Sequence, residues 1–305
     1  MRKEFSSTIK EIAAKNKKII FFTGDLGFMA LENVREAIGE RFINAGVSEQ
    51  NMISMASAMA AEGFTTICYS IAPFAVFRPA EQIRIDVCLH NKNVKIIGNG
   101  GGYGYGIMGS THHAIEDIAV LSSFQKMTCF IPFCNEDVEE IVKKMMSTQG
   151  PAYLRLGYGV KQEKIKIKPY AHTRKILTGN NITIVGMGPV ILNAIDAIDE
   201  EADKKVADIF VISEIPIKEL NEELINSIKK TGKLLIVEEH VSRGGLGENL
   251  SLLLLKHNIH PKFKHLCAQG YPEGLYGSQK YHHKVSSLDS ESIKKTIEEI
   301  IDDQQ

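Results

Sequence analysis

The sequence predicts an α/β protein made of two three-layer α/β/α domains with mainly parallel sheets, and three observations predict it. β-rich runs, "KKIIFFTG", "TTICYS", "NVKIIGN", "MTCFIPF" and "AYLRLG", alternate with segments whose apolar positions recur at helical spacing, the pattern of a parallel sheet covered by helices. After Gly159 the composition shifts to "VKQEKIKIKPYAHTRK", basic and broken by Pro169, which suits a surface crossing between domains. A second alternating series then opens with "NITIVGMG", "VADIFVIS" and "KLLIVEEH". The domains are therefore expected at residues 1–160 and 161–305, and neither an internal repeat nor a low-complexity tract interrupts them.

A chain of 305 residues has room for two such cores. Its net charge of −1 and pI near 6.8 give no global field for nucleic acid or an anionic membrane, which leaves small molecules and other proteins as partners. The opening "MRKEFSSTIKEIAAKNKK" is charged and amphipathic, and no apolar stretch reaches the length of a membrane span, so a soluble, cytoplasmic protein is expected. Cys68, Cys88, Cys129, Cys134 and Cys267 lack metal-ligand or CxxC spacing. They are expected as buried, reduced thiols, with neither a disulfide nor a metal site.

Three segments carry candidate chemistry. In "NAGVSEQNMISMASAMAAEGF" the carboxylate of Glu49 opens a helix that is apolar on nearly every face. Ser48 is placed to cap that helix, and a first-turn carboxylate near the helix dipole explains Glu49 as readily as catalysis does. In "YSIAPFAVFRPAEQIR", Pro79 suits the first position of a helix that turns Ile83 and Val87 inward, and Phe74 and Phe77 suit core aromatics. The third segment, "GNGGGYGYGIMGSTHH", holds seven glycines between Gly98 and Gly109. Gly104, Gly106 and Gly109 spell GxGxxG, but too far from the strand for a dinucleotide fingerprint. So many glycines present bare backbone to a ligand, with a helix from His113 onward aimed at the same place. His112 ends that loop, and His113 reads as structural. In the second half, "SRGGLGEN" fits a tight turn better than an anion site at a helix start.

Taken in this order, "RFINAGVSEQNM", "YS…FRPAEQIR" and "GYGIMGSTHHAIEDIAVL" resemble the pyrimidine-binding domain of transketolases, and "VEEHVSRGGLGENL" resembles that family's C-terminal domain. The resemblance implies a thiamine-diphosphate pyrimidine-binding domain over 1–160 followed by a transketolase C-terminal-like domain over 161–305. It places Glu49 on the glutamate that hydrogen-bonds the cofactor's aminopyrimidine ring, where a carboxyl in a dry pocket can share a proton with the ring nitrogen. It places His112 on the histidine that contacts a donor or acceptor oxygen, and Asp25 near the cofactor. For the aromatic partner of the pyrimidine, alignment on "EQIR" puts Ala72 where a phenylalanine is expected, so Phe74 and Phe77 are the candidates, with Phe74 favoured. Arg78, in the same cluster, is grouped with the cofactor side.

The resemblance also exposes departures. The family grips a sugar phosphate with Arg, Ser and His side chains. Here Arg2 matches one arginine, while Met29 stands for the serine, Gly100 for the histidine and Tyr158 for the second arginine. Met108 replaces an aspartate that reads a sugar hydroxyl, and Arg155 is held in reserve as a cation for the missing grip. No GDG motif occurs in the chain. The expectation is therefore the C-terminal subunit of a split, thiamine-diphosphate-dependent transferase, active only with an N-terminal transketolase-like subunit that carries GDG and holds Mg2+ or Ca2+, in an α2β2 assembly. It would move a two-carbon ketol unit to a sugar aldehyde or ketone that is not a simple sugar phosphate. The alternatives are a β-type subunit of a 2-oxoacid dehydrogenase, a deoxyxylulose-phosphate-synthase-like enzyme and a non-catalytic scaffold.

Overall fold

The computed structural model describes residues 1–163, 165–198, 206–271 and 276–302; Lys164, in the basic crossing, lies outside the described residues. Strands β1 (Ile19–Thr23), β2 (Phe42–Asn44), β3 (Thr65–Ile71), β4 (Val94–Asn99), β5 (Thr128–Phe130) and β6 (Ala152–Leu156) pair in parallel. The chain then forms β7 (Thr173–Leu177), β8 (Ile182–Met187) and β9 (Ala207–Ile212) before β10 (Glu214–Ile215) crosses back to pair antiparallel with β5. With β11 (Lys233–Glu238) and β12 (Lys262–Leu266), the two sheets have the orders β10-β5-β6-β4-β3-β1-β2 and β12-β11-β8-β9-β7, and β7 is antiparallel to β9. The mainly parallel α/β class is the one the alternating runs predict. β1, β4, β6, β8 and β9 are buried at every position, as sheets covered on both faces require.

Packing runs in three apolar clusters. Phe5, Ile9 and Ala13, spaced four apart on helix Arg2–Lys15, cover one face of the first sheet with Ile19 and Phe21. Ile184, Leu235, Ile293 and Ile297 fill the far face of the second sheet. The middle cluster is continuous: Met52, Ile53 and Ala56 of helix Glu49–Ala61 share it with Val185, Phe210 and Leu250 of the second half. The two halves are thus packed on one another by a shared core rather than joined by a tether.

Three local expectations change. Ser48 does not cap its helix; its hydroxyl donates back to the Ala45 carbonyl at 2.7 Å. Pro79 is the cap of a short turn, Ala80–Gln82, that widens into a π-helical segment, Ile83–Leu89, with Ile83 and Val87 fully buried as expected. The helix after the glycine loop starts at Asp117, four residues beyond His113. All five cysteines are buried free thiols; burial pushes Cys88 and Cys134 up to about 12. Among the described residues no helix is long and apolar enough to cross a membrane.

Candidate active site

The loops that carry the candidate residues follow β1, β2, β3, β4 and β6, so they gather at the carboxyl ends of a parallel sheet, where such folds place ligands. Glu49 is 3% exposed, yet its carboxylate opens on a cleft lined by Val47, Ser48, Gln50, Asn51 and Arg78. Both oxygens are engaged. Ser70, near the end of β3, donates to Oε1 at 3.2 Å, and Arg78 Nη1 donates to Oε2 at 2.9 Å. The same guanidinium lies 3.9 Å from the centroid of the Phe74 ring, and the His112 ring packs edge-on against Phe74 at 5.1 Å. Glu49, Arg78, Phe74 and His112 therefore form one connected group, with Phe74 as the ring that joins its two sides. Phe77 follows on the rim, 38% exposed.

Arg78 provides a test of whether these residues suit an aminopyrimidine. Its guanidinium is planar, carries N–H donors, hydrogen-bonds the Glu49 carboxylate and lies over the Phe74 ring. A planar, nitrogen-bearing heterocycle needs the same two partners, so the residues fit. Asp25 sits just beside them. Its neighbour Gly24 is so close to Glu49 that a Cβ there would stand 3.6 Å from Oε1. Asp25 itself has a left-handed backbone, φ 57°, held by a reciprocal pair in which Asn44 Nδ2 donates to Oδ1 at 2.8 Å and the Asp25 N–H donates to Asn44 Oδ1 at 3.1 Å. Among the described residues no group of three or more His, Cys, Asp and Glu is placed to hold a metal ion.

The glycine loop differs from its expected role. Its bare backbone faces protein rather than a ligand. Gly101 leaves room for the Arg155 side chain and Gly102, at φ +67°, for Glu239, while Gly106 lies against the backbone of Gly277–Gln279. A side chain at Gly100, where the resemblance calls for a histidine, would overlap the Tyr105 ring. The Tyr105 hydroxyl instead accepts from Asn99 Nδ2 at 2.5 Å, and its ring lies 6.4 Å from that of His112. His112 has Thr111 Oγ1 at 2.9 Å from Nδ1. His113 is 1% exposed, with Nε2 3.1 Å from the Gly106 carbonyl, and burial lowers its pKa, as a structural histidine would show.

The substrate-side residues divide. Arg2 is exposed and donates to the Phe28 carbonyl at 3.2 Å. Met29, Met108 and Tyr158 are 83%, 55% and 68% exposed on the same rim. Arg155 is not a reserve cation: it is 4% exposed and donates to Asp117 Oδ2 at 3.0 Å and to the Ala114 and Glu239 carbonyls at 2.7 and 2.9 Å. Burial opposes its charge, but Asp117 and its other neighbours outweigh that and raise its pKa. The "SRGGLGEN" turn likewise holds no free anion site, because the chain fills it. The buried Glu238 carboxylate accepts from Leu246 N and Gly247 N at 2.7 and 2.9 Å. Ser70, Tyr105, Asn99 and Glu239 were not foreseen. Ser70 and Asn99 show in the sequence only as polar residues ending buried strands, and Tyr105 only as a large ring set among glycines.

Comparisons with known proteins agree with this geometry. A family model described as "Transketolase, pyrimidine binding domain" matches residues 1–159, and one described as "Transketolase, C-terminal domain" matches residues 171–293. One of the two subunits of the apulose-4-phosphate transketolase of Actinobacillus succinogenes is 31% identical over 83% of each chain. The 1-deoxy-D-xylulose-5-phosphate synthase of Clostridium perfringens is 29% identical over 98% of this chain and 49% of its own length. A solved structure of a split gene transketolase, described as an inactive β4 tetramer, superimposes with a TM-score of 0.84 at 25% identity and covers 100% of this chain and 98% of its own. The chain belongs to the transketolase family and carries that family's pyrimidine-binding and C-terminal domains.

Proposed function

We propose that the chain is the pyrimidine-binding subunit of a split transferase that moves a two-carbon ketol unit between sugars, with thiamine diphosphate and a divalent metal whose diphosphate contacts come from a partner subunit. The observation that carries this reading is the buried Glu49 carboxylate opening on a cleft, with a planar cation held between it and Phe74. When bound, the cofactor supplies a nucleophilic carbon that carries the ketol unit. In this chain Ser70 holds Oε1 of Glu49, which leaves Oε2 for the pyrimidine once Arg78 turns away. Phe74 gives that ring a flat apolar wall. Thr111 engages Nδ1 of His112, leaving Nε2 for a sugar oxygen.

A partner subunit is supported by the rim itself. Phe28, Met29, Val47, Ile107, Tyr158 and Val160 are each more than half exposed, and all follow the carboxyl ends of first-sheet strands. Such a cluster of exposed apolar side chains suits a protein interface. The inactivity described for the β4 split gene transketolase is consistent with a site shared between unlike chains, and α2β2 is the simplest such assembly.

For the acceptor we infer a sugar that is not gripped by a terminal phosphate in this chain, because Tyr105 fills the space beside Gly100 and Arg155 is buried. A second reading, a phosphorylated sugar, is favoured by the name of the Actinobacillus relative and would leave the phosphate to Arg2 and the partner. The test is to reconstitute the chain with its GDG-bearing partner and assay a ketose donor and pyruvate separately against an aldose panel. Ketose-dependent transfer supports the proposal; turnover of pyruvate alone, or none, overturns it.

A further inference from the structure

The excursion that carries His112 is closed at its base. Gly102 N donates to Ala114 O at 2.7 Å and Ala114 N to Gly102 O at 2.9 Å, so residues 103–113 leave and return through one two-residue bridge. Both ends of that bridge are held by the domain junction. On one side Glu239, from the second half of the chain, accepts the Tyr103 N–H at 2.9 Å. On the other, one nitrogen of Arg155 reaches both the Ala114 carbonyl and the Glu239 carbonyl, at 2.7 and 2.9 Å.

Glu239 is itself fixed. Gln279 Nε2 donates to its oxygens at 3.0 and 3.1 Å, and His283 Nε2 stands 3.0 Å from Oε1. Burial alone would raise its pKa, but His283, Gln279 and Arg155 hold it below the ordinary carboxylate value, so the group in contact with the loop is a carboxylate. A Cβ on Gly102 would come within 2.5 Å of Glu239 Cδ, so the loop and the carboxylate are in direct packing contact.

We propose that Glu239 is a positioning residue for His112: by clamping the base of the 103–113 excursion it fixes where the His112 ring stands against Phe74. The inference rests on the functional reading above for its kinetic consequence, though not for its structural one. Mechanically, an N–H bonded to a buried carboxylate is a charge-assisted bond, stronger than the neutral bonds that hold most loops. Losing it frees the base of an excursion in which Gly104, Gly106 and Gly109 offer little stiffness of their own. An error of about 1 Å at a reacting group is enough to lower rate about a hundredfold.

The experiment is a double-mutant cycle in the two-subunit enzyme. Glu239→Ala is expected to lower kcat/KM about tenfold or more, mostly through kcat, but to lower it less than about threefold in a His112→Ala background, because the clamp acts through the ring already removed. Glu239→Gln, which keeps an acceptor oxygen for the Tyr103 N–H, is expected to recover most of the loss and serves where the alanine variant folds poorly. Equal losses in the two backgrounds, or a glutamine variant as impaired as alanine while folded, overturn the proposal. Amide exchange gives a readout without turnover: peptides covering 103–113 should exchange faster in Glu239→Ala, while helix Glu49–Ala61 stays as in wild type. Unchanged loop exchange overturns the clamp even if the enzyme is active. Absence of ketol transfer in the wild type, with a loosened loop in the variant, refutes only the functional reading.

Discussion

Glu49→Gln separates chemistry from architecture at the centre of the site. Glutamine has the same shape, so the question is what each hydrogen bond loses. Ser70 Oγ, now donating to Oε1 at 3.2 Å, can turn its hydroxyl to accept from the amide nitrogen, and the amide oxygen then keeps Arg78 at the 2.9 Å position. Only the charge on the Arg78 pair is lost. Arg78 is 45% exposed and has water as an alternative, so the loss is about 1 kcal/mol or less. In a chain of this size that is a fall in Tm of about 2–4 °C. Catalysis should respond differently, because an amide cannot share a proton with a ring nitrogen. A reduction in kcat of about 10²–10⁴, or about 2.7–5.4 kcal/mol of barrier, is expected for a group that governs proton transfer. The assay is steady-state ketol transfer by the reconstituted two-subunit enzyme, with a thermal melt of the variant alongside. Turnover within a few fold of wild type, with the fold intact, would return Glu49 to the role of a first-turn carboxylate and refute the reasoning.

The isolated chain should bind thiamine diphosphate weakly and turn over no substrate; calorimetry showing affinity well below about 1 μM without the partner would refute the shared site. With ribose 5-phosphate or erythrose 4-phosphate as acceptor, the reconstituted enzyme should show kcat/KM under about 10⁴ M⁻¹s⁻¹, and a value above that selects the phosphorylated-sugar reading. Asp208 is buried; burial opposes its charge, but hydrogen bonds from Ser227, Gly179, Lys230 and Lys175 hold it at about 2 against an ordinary 3.8. A depressed carboxylate lends stability that is complete above pH 3.8 and lost as pH falls toward 2. Asp208→Asn should therefore flatten denaturant stability across that window, and an unchanged slope would refute the assignment.

The sheet class was legible because parallel strands covered on both faces must read as continuous apolar runs, and β1, β3, β4, β5 and β6 all do. β10 was not, since two residues cannot show a period and its partner lies more than eighty positions away. At the site, Glu49 and His112 stood out by their segments, and of the two candidate rings the structure sets Phe74 against His112 and leaves Phe77 on the rim. Ser70 and Glu239 act only through long-range contacts, with Glu49 and with Tyr103, that no local pattern encodes. The glycine loop misled for a physical reason. A glycine records that something comes close to the backbone but not what, and here the close groups are Tyr105, Arg155 and Glu239 rather than a ligand.

Two arginine–carboxylate pairs in the chain show how exposure sorts function from architecture. Arg155 and Asp117 are 4% and 0% exposed; removing either partner would strand a buried charge at a penalty of about 3–5 kcal/mol, so that pair stays closed and ties the loop base to the second half. Arg78 is 45% exposed, and letting it swing to water costs about 1 kcal/mol or less, within what one stacked ring and one hydrogen bond return. The Glu49 pair can therefore open for a planar ligand while the Arg155 pair beneath the loop does not move. An active site needs that difference: a carboxylate whose partner is replaceable, beside a loop whose anchor is not.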